Sequence, residues 1–306
     1  MKLIKPSVEE WHCDYTLPEI WSHIAKCARV CYQSEPRNNG ETDEEFVKRV
    51  ILRNHSFNEI AKSRELQLKL HLSVLEHGTV YLNIPCEEDT TEYIMFFGHN
   101  YYSKRVYDYG LKCHVTTNMR VIVEQGLTKC LKYICAPTTR HYLRTTFNII
   151  TDIGVARELA RHRTHSISEE STRYCNYGKD KFNNELTFII PEWIDIPSCE
   201  CTSKNFYKLE LKNSKGGYNS KLNACQFLYE LLRIEKTYID LIKSQSPQQA
   251  RQILPLSTKV QTIHTAFDTD WNEFVKLRAD ACSGSVHPNM KVIANKIKDL
   301  MNKENA

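Results

Sequence analysis

Short runs rich in β-branched and aromatic residues recur along this chain between stretches of helical periodicity, which predicts an α/β (α+β) protein. Three runs carry the strand side: TVYLNI at 79–84, ended by Pro85; RTTFNII at 144–150; and LTFIIP at 186–191, stopped by Pro191. The helical side rests on amphipathic stretches, above all 222–243 and the one from about Asn289, where Met290, Ile293, Ile297 and Leu300 form one apolar stripe. A chain of 306 residues, 41% of them hydrophobic, can bury a substantial core as one large domain or two small ones. No internal repeat and no long Gly/Pro/Ser linker divides it.

Residues 42–77 read mostly as helix. Thr42 or Asp43 caps the start, and Phe46, Val50 and Ile51 share a stripe; a second helical stretch follows Asn54-His55-Ser56. Residues 86–142 mix aromatic runs with the turn-like YDYG and the apolar MRVIVEQG, and read as an elaboration with its own short helices. Thr151 or Asp152 caps a helix that buries Val155 and Leu159 and presents Glu158, Arg161 and His162 on another face. On that reading Arg161-His162-Arg163 occupies the last turn, where the helix dipole favours cations, and residues 164–174 form an irregular loop. Residues 199–221 read as an exposed insertion. Ser246-Pro247-Gln248-Gln249 is a capping box with proline at the first helical position, and Arg251 lies in the short helix it opens. Residues 270–280 start a further helix carrying Trp271, Phe274, Val275 and Arg278 at helical spacing.

The charge balance, +4 from 41 basic and 37 acidic side chains, does not mark a nucleic-acid binder. An anionic ligand would therefore be met by a local cluster of cations. The 12 cysteines are scattered, and the N-terminal MKLIKPSVEEWH lacks the apolar core of a signal peptide, so a reducing cytoplasm is expected. Cys199-Glu200-Cys201 has no second pair at zinc spacing, and no metal is expected. No apolar run reaches membrane-spanning length, so no membrane association is expected.

The densest chemistry lies in RHRTHSISEESTRY, residues 161–174. Arginine presents a planar fork of donors that matches phosphate or carboxylate, and serine and threonine hydroxyls beside it suit a nucleotide phosphate. Two other readings compete. Glu169 and Glu170 could neutralise Arg161, Arg163 and Arg173 in a surface salt-bridge network. Ser171 could be a nucleophile with His162 or His165 as base, although no Gly-x-Ser-x-Gly turn supports one. Neither a Gly-x-Gly-x-x-Gly fingerprint nor a Gly-Lys-Ser/Thr loop is present among the 10 glycines, so any flavin or nicotinamide is held by some other fold.

Arg161-His162-Arg163, seven residues, then Ser171, with Arg173-Tyr174 after it, resembles the signature of the flavin-dependent thymidylate synthases. HLSVLEHGTVYLNI (71–84), ARQILPL (250–256), FVKLRAD (274–280) and CARVCY (27–32) are similar to further family segments in the family's order. The resemblance spans most of the chain and implies one domain over 1–306 around a mixed central sheet, with insertions at 86–142 and 199–221. It implies a homotetramer with shared active sites, and small-molecule rather than nucleic-acid or membrane partners. The implied reaction is dUMP to dTMP, with methylenetetrahydrofolate as carbon donor and NADPH as reductant through bound FAD. No protein nucleophile takes part, so the cysteines need no catalytic role.

Carried over by position, His71, Ser73 and Glu76 belong at the flavin, with Arg161, His162, Arg163 and Glu169. Glu158, Arg161, Glu169, Glu170, Ser171, Thr172 and Arg173 belong to the dUMP site, with Arg251 on the phosphate. Arg278 faces the uracil as the catalytic cation, placed where negative charge develops. The sequence departs from the family at Glu158, where glutamine is common; pairing with Arg161 or His162 would neutralise it. Ser168 replaces a frequent asparagine. Phe267 and Glu273 stand where relatives offer flavin-binding asparagines, and either Cys282 or His287 takes the family histidine's place. The alternative from another class is a nucleotide- or RNA-binding protein that keeps the anion-binding loop without flavin chemistry.

Overall fold

The computed structural model describes residues 1–36, 40–196, 198–202, 218–282 and 284–304. The N-terminal half runs β1 (Lys2–Ile4), β2 (Ser7–Glu10), α1 (Leu17–Tyr32), α2 (Asp43–Val50), α3 (Phe57–Lys62) and α4 (Arg64–Lys69). A 3-10 turn at Leu72–His77 leads to β3 (Thr79–Pro85), α5 (Thr91–His99), β4 (Lys104–Asp108), β5 (Lys112–Asn118) and α6 (Met119–Glu124). Then come β6 (Arg144–Asp152), α7 (Ile153–Leu159), β7 (Ser166–Glu169), β8 (Thr187–Ile189) and β9 (Cys199–Glu200). The chain closes with α8 (Tyr218–Leu241), α9 (Pro247–Ala250), β10 (Lys259–Phe267), α10 (Asp268–Arg278) and α11 (Pro288–Glu304).

The α/β class holds, and the strands divide among three sheets. The central sheet, in the order β2-β6-β10-β7, is antiparallel throughout. Mixed pairing occurs in the smaller sheet β8-β1-β9, where β1 is parallel to β8 and antiparallel to β9; a bridge between Phe188 and Thr258 joins the two. Strand β10 is the spine of the central sheet. It pairs with β6 from Lys259↔Asp152 to Phe267↔Arg144 and with β7 from Thr262↔Glu169 to Thr265↔Ser166.

Apolar packing follows this division. Helices α1, α2, α3 and α6 bury Ile20, Ile24, Val47, Ile60 and Ile122 against β3 and β5. Helix α8 covers β1 and β8 through Leu228 and Leu231. On the central sheet, α7, α10 and α11 enclose Phe147, Leu159, Trp271, Phe274, Met290, Ile293 and Ile297, which includes the predicted C-terminal stripe.

Several local expectations change. Residues 86–142 contribute more than short helices: β4 and β5 form a hairpin that pairs with β3 in the third sheet. Tyr109 (φ 44°) and Gly110 (φ 79°) turn it, both in the left-handed region that the glycine enters without strain. The helical expectation for 42–77 resolves into three short helices and a 3-10 turn, two of the helices opened by the capping boxes Thr42/Glu45 and Ser56/Glu59. Asp152 caps α7 by accepting from the Val155 N–H at 2.8 Å, but the helix stops at Leu159. Arg161-His162-Arg163 thus lies in the turn just beyond the helix rather than in its last turn. Residues 166–169, expected as loop, are strand β7, because Ser166 and Ser168 alternate inward with Ile167 and Glu169 outward. The insertion expected at 199–221 lies mostly outside the described residues.

Candidate active site

Strand β7 is the axis of the site, with different chemistry at each end. At its Glu169 end a cavity of about 580 Å³, within the usual range for ligand pockets, is lined by Cys31, Tyr32, His71, Ser73, Ser168 and Glu169. His71 and Ser73 therefore lie together at the cavity with Glu169. Glu76 does not join them: its carboxylate pairs with Arg120. The Glu169 carboxyl is held above its ordinary pKa by desolvation first and by the Glu170 carboxylate second, with Arg157 opposing.

Behind the cavity runs a buried polar chain. His77 Nε2 contacts Ser168 Oγ at 3.0 Å and His77 Nδ1 contacts Thr265 Oγ1 at 2.8 Å, and Thr265 continues to Thr146 at 2.7 Å. Burial drives the His77 pKa well below its ordinary value, followed by His23 and Arg144, so the ring is neutral. Sequence reasoning passed over His77; its signal was the Glu-His pair that ends the 71–77 segment.

Beyond Glu169 the chain turns into Ser171-Thr172-Arg173. The Ser171 N–H donates to the Cys31 carbonyl at 2.9 Å, which ties the loop to the end of α1, and the Ser171 carbonyl accepts from Tyr174 and Cys175. Arg251 Nη1 donates to Thr172 Oγ1 at 3.4 Å, and Arg173 Nε donates to Gln248 Oε1 at 3.2 Å. Two arginines far apart in sequence thus converge on one loop, both with neutral partners. The salt-bridge network expected as the alternative does not form. Glu170 is turned inward, 1% exposed, and its oxygens are taken by Lys259 Nζ (2.6 Å), the Tyr177 hydroxyl (2.9 Å) and the Gln261 N–H (3.1 Å). This corrects the expectation of a substrate contact at Glu170. Among the described residues, Arg161, Arg163, Arg173 and Arg251 have no ion pair. Among the described residues no histidine is hydrogen-bonded to the Ser171 side chain: His77 reaches Ser168, and His165 meets His264 at the far end of the strand.

At that far end Arg278, from the last turn of α10, donates through Nε to His162 Nε2 at 3.2 Å and through Nη1 to Glu158 Oε2 at 3.3 Å. Glu158 is therefore neutralised by Arg278, not by Arg161 or His162; the early stop of α7 removes those two from its helical face. His162 stacks on His165 (5.6 Å, 29°) and meets Phe274 edge-on, and His165 Nδ1 lies 3.3 Å from His264 Nδ1. Burial is the main reason these rings stay neutral: the pKa falls to about 4 at His162, where Arg278 adds to it, to about 2 at His165 and to about 3 at His264. Cys282 and His287 are both exposed, and neither contacts the Arg278 group among the described residues.

Comparison with known proteins bears on this arrangement. The profile of the family described as thymidylate synthase complementing protein matches residues 124–305. A flavin-dependent thymidylate synthase of Corynebacterium efficiens is 30% identical over 165 residues, covering 53% of this chain and 56% of that protein. Another, from Thermosipho melanesiensis, is 31% identical over 137 residues, covering 44% and 54%. The chain thus spans about half the length of the relatives it matches. A solved structure of the UMP/dUMP methylase PolB from Streptomyces cacaoi, bound with 5-Br UMP, aligns over 99% of this chain and 92% of that one. Its identity of 16% and TM-score of 0.44 are too low to inform the site. The profile match covers more than half of the chain and takes in α7, the Arg-His-Arg turn, the Ser-Thr-Arg loop, Arg251 and Arg278; the chain belongs to the thymidylate synthase complementing protein family.

Proposed function

We propose that this protein is a flavin-dependent thymidylate synthase, which converts dUMP to dTMP with methylenetetrahydrofolate as carbon donor, NADPH as reductant and FAD as bound cofactor. The observation that carries this reading is that Arg173 and Arg251 cross-link the Ser171-Thr172 loop to the α9 segment with no acid among the described residues to neutralise them, beside a cavity lined by His71, Ser73 and Glu169. Unpaired guanidinium groups around hydroxyls form a phosphate cradle. The residues also fit a flavin dinucleotide: the cavity is large enough for a ring system, and Arg161 and Arg163 are exposed cations available to a diphosphate. When bound, the flavin supplies the hydride that completes the methyl group.

The chain's own residues then hold and polarise. Ser171, Thr172, Arg173 and Arg251 take the nucleotide phosphate. Arg278, oriented by Glu158 and by neutral His162, offers a fixed cation to the uracil ring, where negative charge develops during carbon transfer. In one chain the Arg278 group and the Arg173 loop flank opposite ends of β7, a strand that spans about 10 Å at ~3.3 Å per residue. That separation supports a site completed between copies, as the expected homotetramer provides. The pairing of β5 with β3, and of β4 with β5, supports a single domain in which residues 86–142 have become part of the fold.

Purified protein is expected to be yellow and to form dTMP from dUMP with FAD, NADPH and methylenetetrahydrofolate. Arg173→Ala is expected to weaken dUMP binding at least tenfold while leaving the flavin spectrum in place. A colourless protein that takes up no FAD yet binds dUMP would overturn this reading and favour a nucleotide-binding protein without flavin chemistry.

A further inference from the structure

A second cavity, of about 250 Å³, opens beside the Arg-His-Arg turn, at Thr164 and Ser166. Arg144, the first residue of β6, lies in its wall and is 7% exposed. The guanidinium donates only to neutral oxygens: the Glu76 carbonyl (3.1 and 3.2 Å), Thr79 Oγ1 (3.1 Å) and Ser166 Oγ (3.4 Å). Among the described residues no carboxylate forms an ion pair with it; the Glu76 carboxylate is held by Arg120. A cation buried in this way carries a desolvation cost that an incoming anion would offset.

The rest of the cavity points to the same chemistry. Lys104 brings a second cation, its Nζ donating to Thr269 Oγ1 at 2.7 Å and lying 4.3 Å from the Phe267 ring centroid. Tyr101 and Tyr102 stand at the rim, 75% and 56% exposed, with Phe267 buried opposite. The one acid of the lining is Asp270. Tyr101, Tyr102 and Lys104 all come from the 86–142 segment, and they gather around Phe267, one of the two positions where the family resemblance leads one to expect an asparagine for the flavin.

We propose that this cavity takes a phosphate joined to a heteroaromatic ring, the adenosine-diphosphate end of a dinucleotide, with Arg144 and Lys104 on the charge and Tyr102 and Phe267 on the ring. The assignment builds on the flavin reading above where FAD is the ligand; NADPH presents the same moiety. The 86–142 segment then supplies, by charge and ring stacking, recognition that asparagine amides would otherwise give.

The test is calorimetric titration of the flavin-free full chain with ADP, for the wild type, Lys104→Ala and Tyr102→Ala. Both substitutions are at the rim, so the fold should survive, as a melting curve will verify. Wild type is expected to bind ADP, and each variant to bind it about tenfold more weakly. Displacement of ADP by FAD but not by FMN identifies the flavin as the source, and displacement by NADPH identifies the reductant; either sustains the proposal. Failure of wild type to bind ADP, or unchanged binding in both variants, overturns it. ADP binding that neither dinucleotide displaces overturns the dinucleotide assignment. A chain that still turns yellow with FAD and makes dTMP, but whose ADP binding ignores Lys104, refutes this cavity alone. A chain that binds ADP through Lys104 and takes up no FAD refutes the flavin reading alone.

Discussion

The two ends of β7 carry similar side chains in opposite circumstances. At the His162 end, polar groups face one another: Arg278 holds Glu158 and His162, and His165 meets His264 under Trp271 and Phe274. At the Ser171 end, Arg173 and Arg251 meet a neutral amide, a hydroxyl and the Tyr174 ring, and among the described residues no acid. A composition count does not separate these cases. The difference lies in whether an opposite charge is supplied by the protein or left for a ligand, and the neighbours Glu169 and Glu170 show it within one peptide bond.

The largest effect expected from disturbing the first end is on turnover. Arg278→Ala should lower kcat by about a thousandfold, the scale seen when a preorganised donor to developing charge is removed, with little change in melting temperature. If kcat survives, Arg278 is a partner for Glu158 and nothing more. Next comes the acidic pair. Glu170→Ala strands Lys259 in a largely buried site and should destabilise the fold by about 3–5 kcal/mol in urea titration. Glu169→Ala should leave stability within about 1 kcal/mol and weaken FAD uptake instead. Equal stability losses at the two positions would erase the contrast drawn here.

Acid sensitivity belongs to the buried histidines, His77 behind the cavity as well as the rings of the closed end. His165 and His264 are buried with pKa values pushed down to about 2 and 3, against about 6.5 in an unfolded chain. The unfolded chain takes up protons that the native core refuses, so this stability is complete above about pH 6.5 and is lost as the pH falls toward the folded values. The unfolding free energy from urea titration should therefore drop between pH 7 and 5, by up to roughly 1.4 kcal/mol per pH unit for each of the two rings. A flat profile would mean that the rings are already reached by water. The smallest effect is at the open turn: Arg161→Ala and Arg163→Ala should change stability by no more than about 0.5 kcal/mol, since neither has an ion pair to lose.

What was legible in the sequence follows from how each element announces itself. Punctuation was plain: Asp152 caps α7, Ser246 and Gln249 box the start of α9, and Pro191 closes the β8 segment. Strand β10, the spine of the central sheet, was not legible. Its sequence KVQTIHTAF places Thr262, His264 and Thr265 inside, where an alternating apolar pattern would be sought. Thr265 is answered by His77 and by Thr146 of β6, and His264 by His165 beside β7, whereas the Thr262 hydroxyl finds no partner; this is tertiary pairing that no local window contains. The hairpin β4–β5 was hidden for the same reason by His114, Thr116, Thr117 and Asn118. At the site, residue types and order pointed to Arg173, Arg251 and Arg278, whereas the partner of Glu158, the inward turn of Glu170 and the buried Arg144 depend on where distant strands and helices end.

The strand that separates the two ends also works as a ruler. Neighbouring residues on β7 face opposite sides of the sheet, and the register Ile167 against His264 fixes which side each takes. Deleting one residue between Arg163 and Ser171 would leave the composition of the signature nearly intact while rotating every later side chain half a turn. Glu170 would then point at the cavity, Glu169 would be forced against His77, and Ser168 would leave it. The count of seven residues between triplet and serine is thus a parity, and an insertion or deletion there should be tolerated only in pairs.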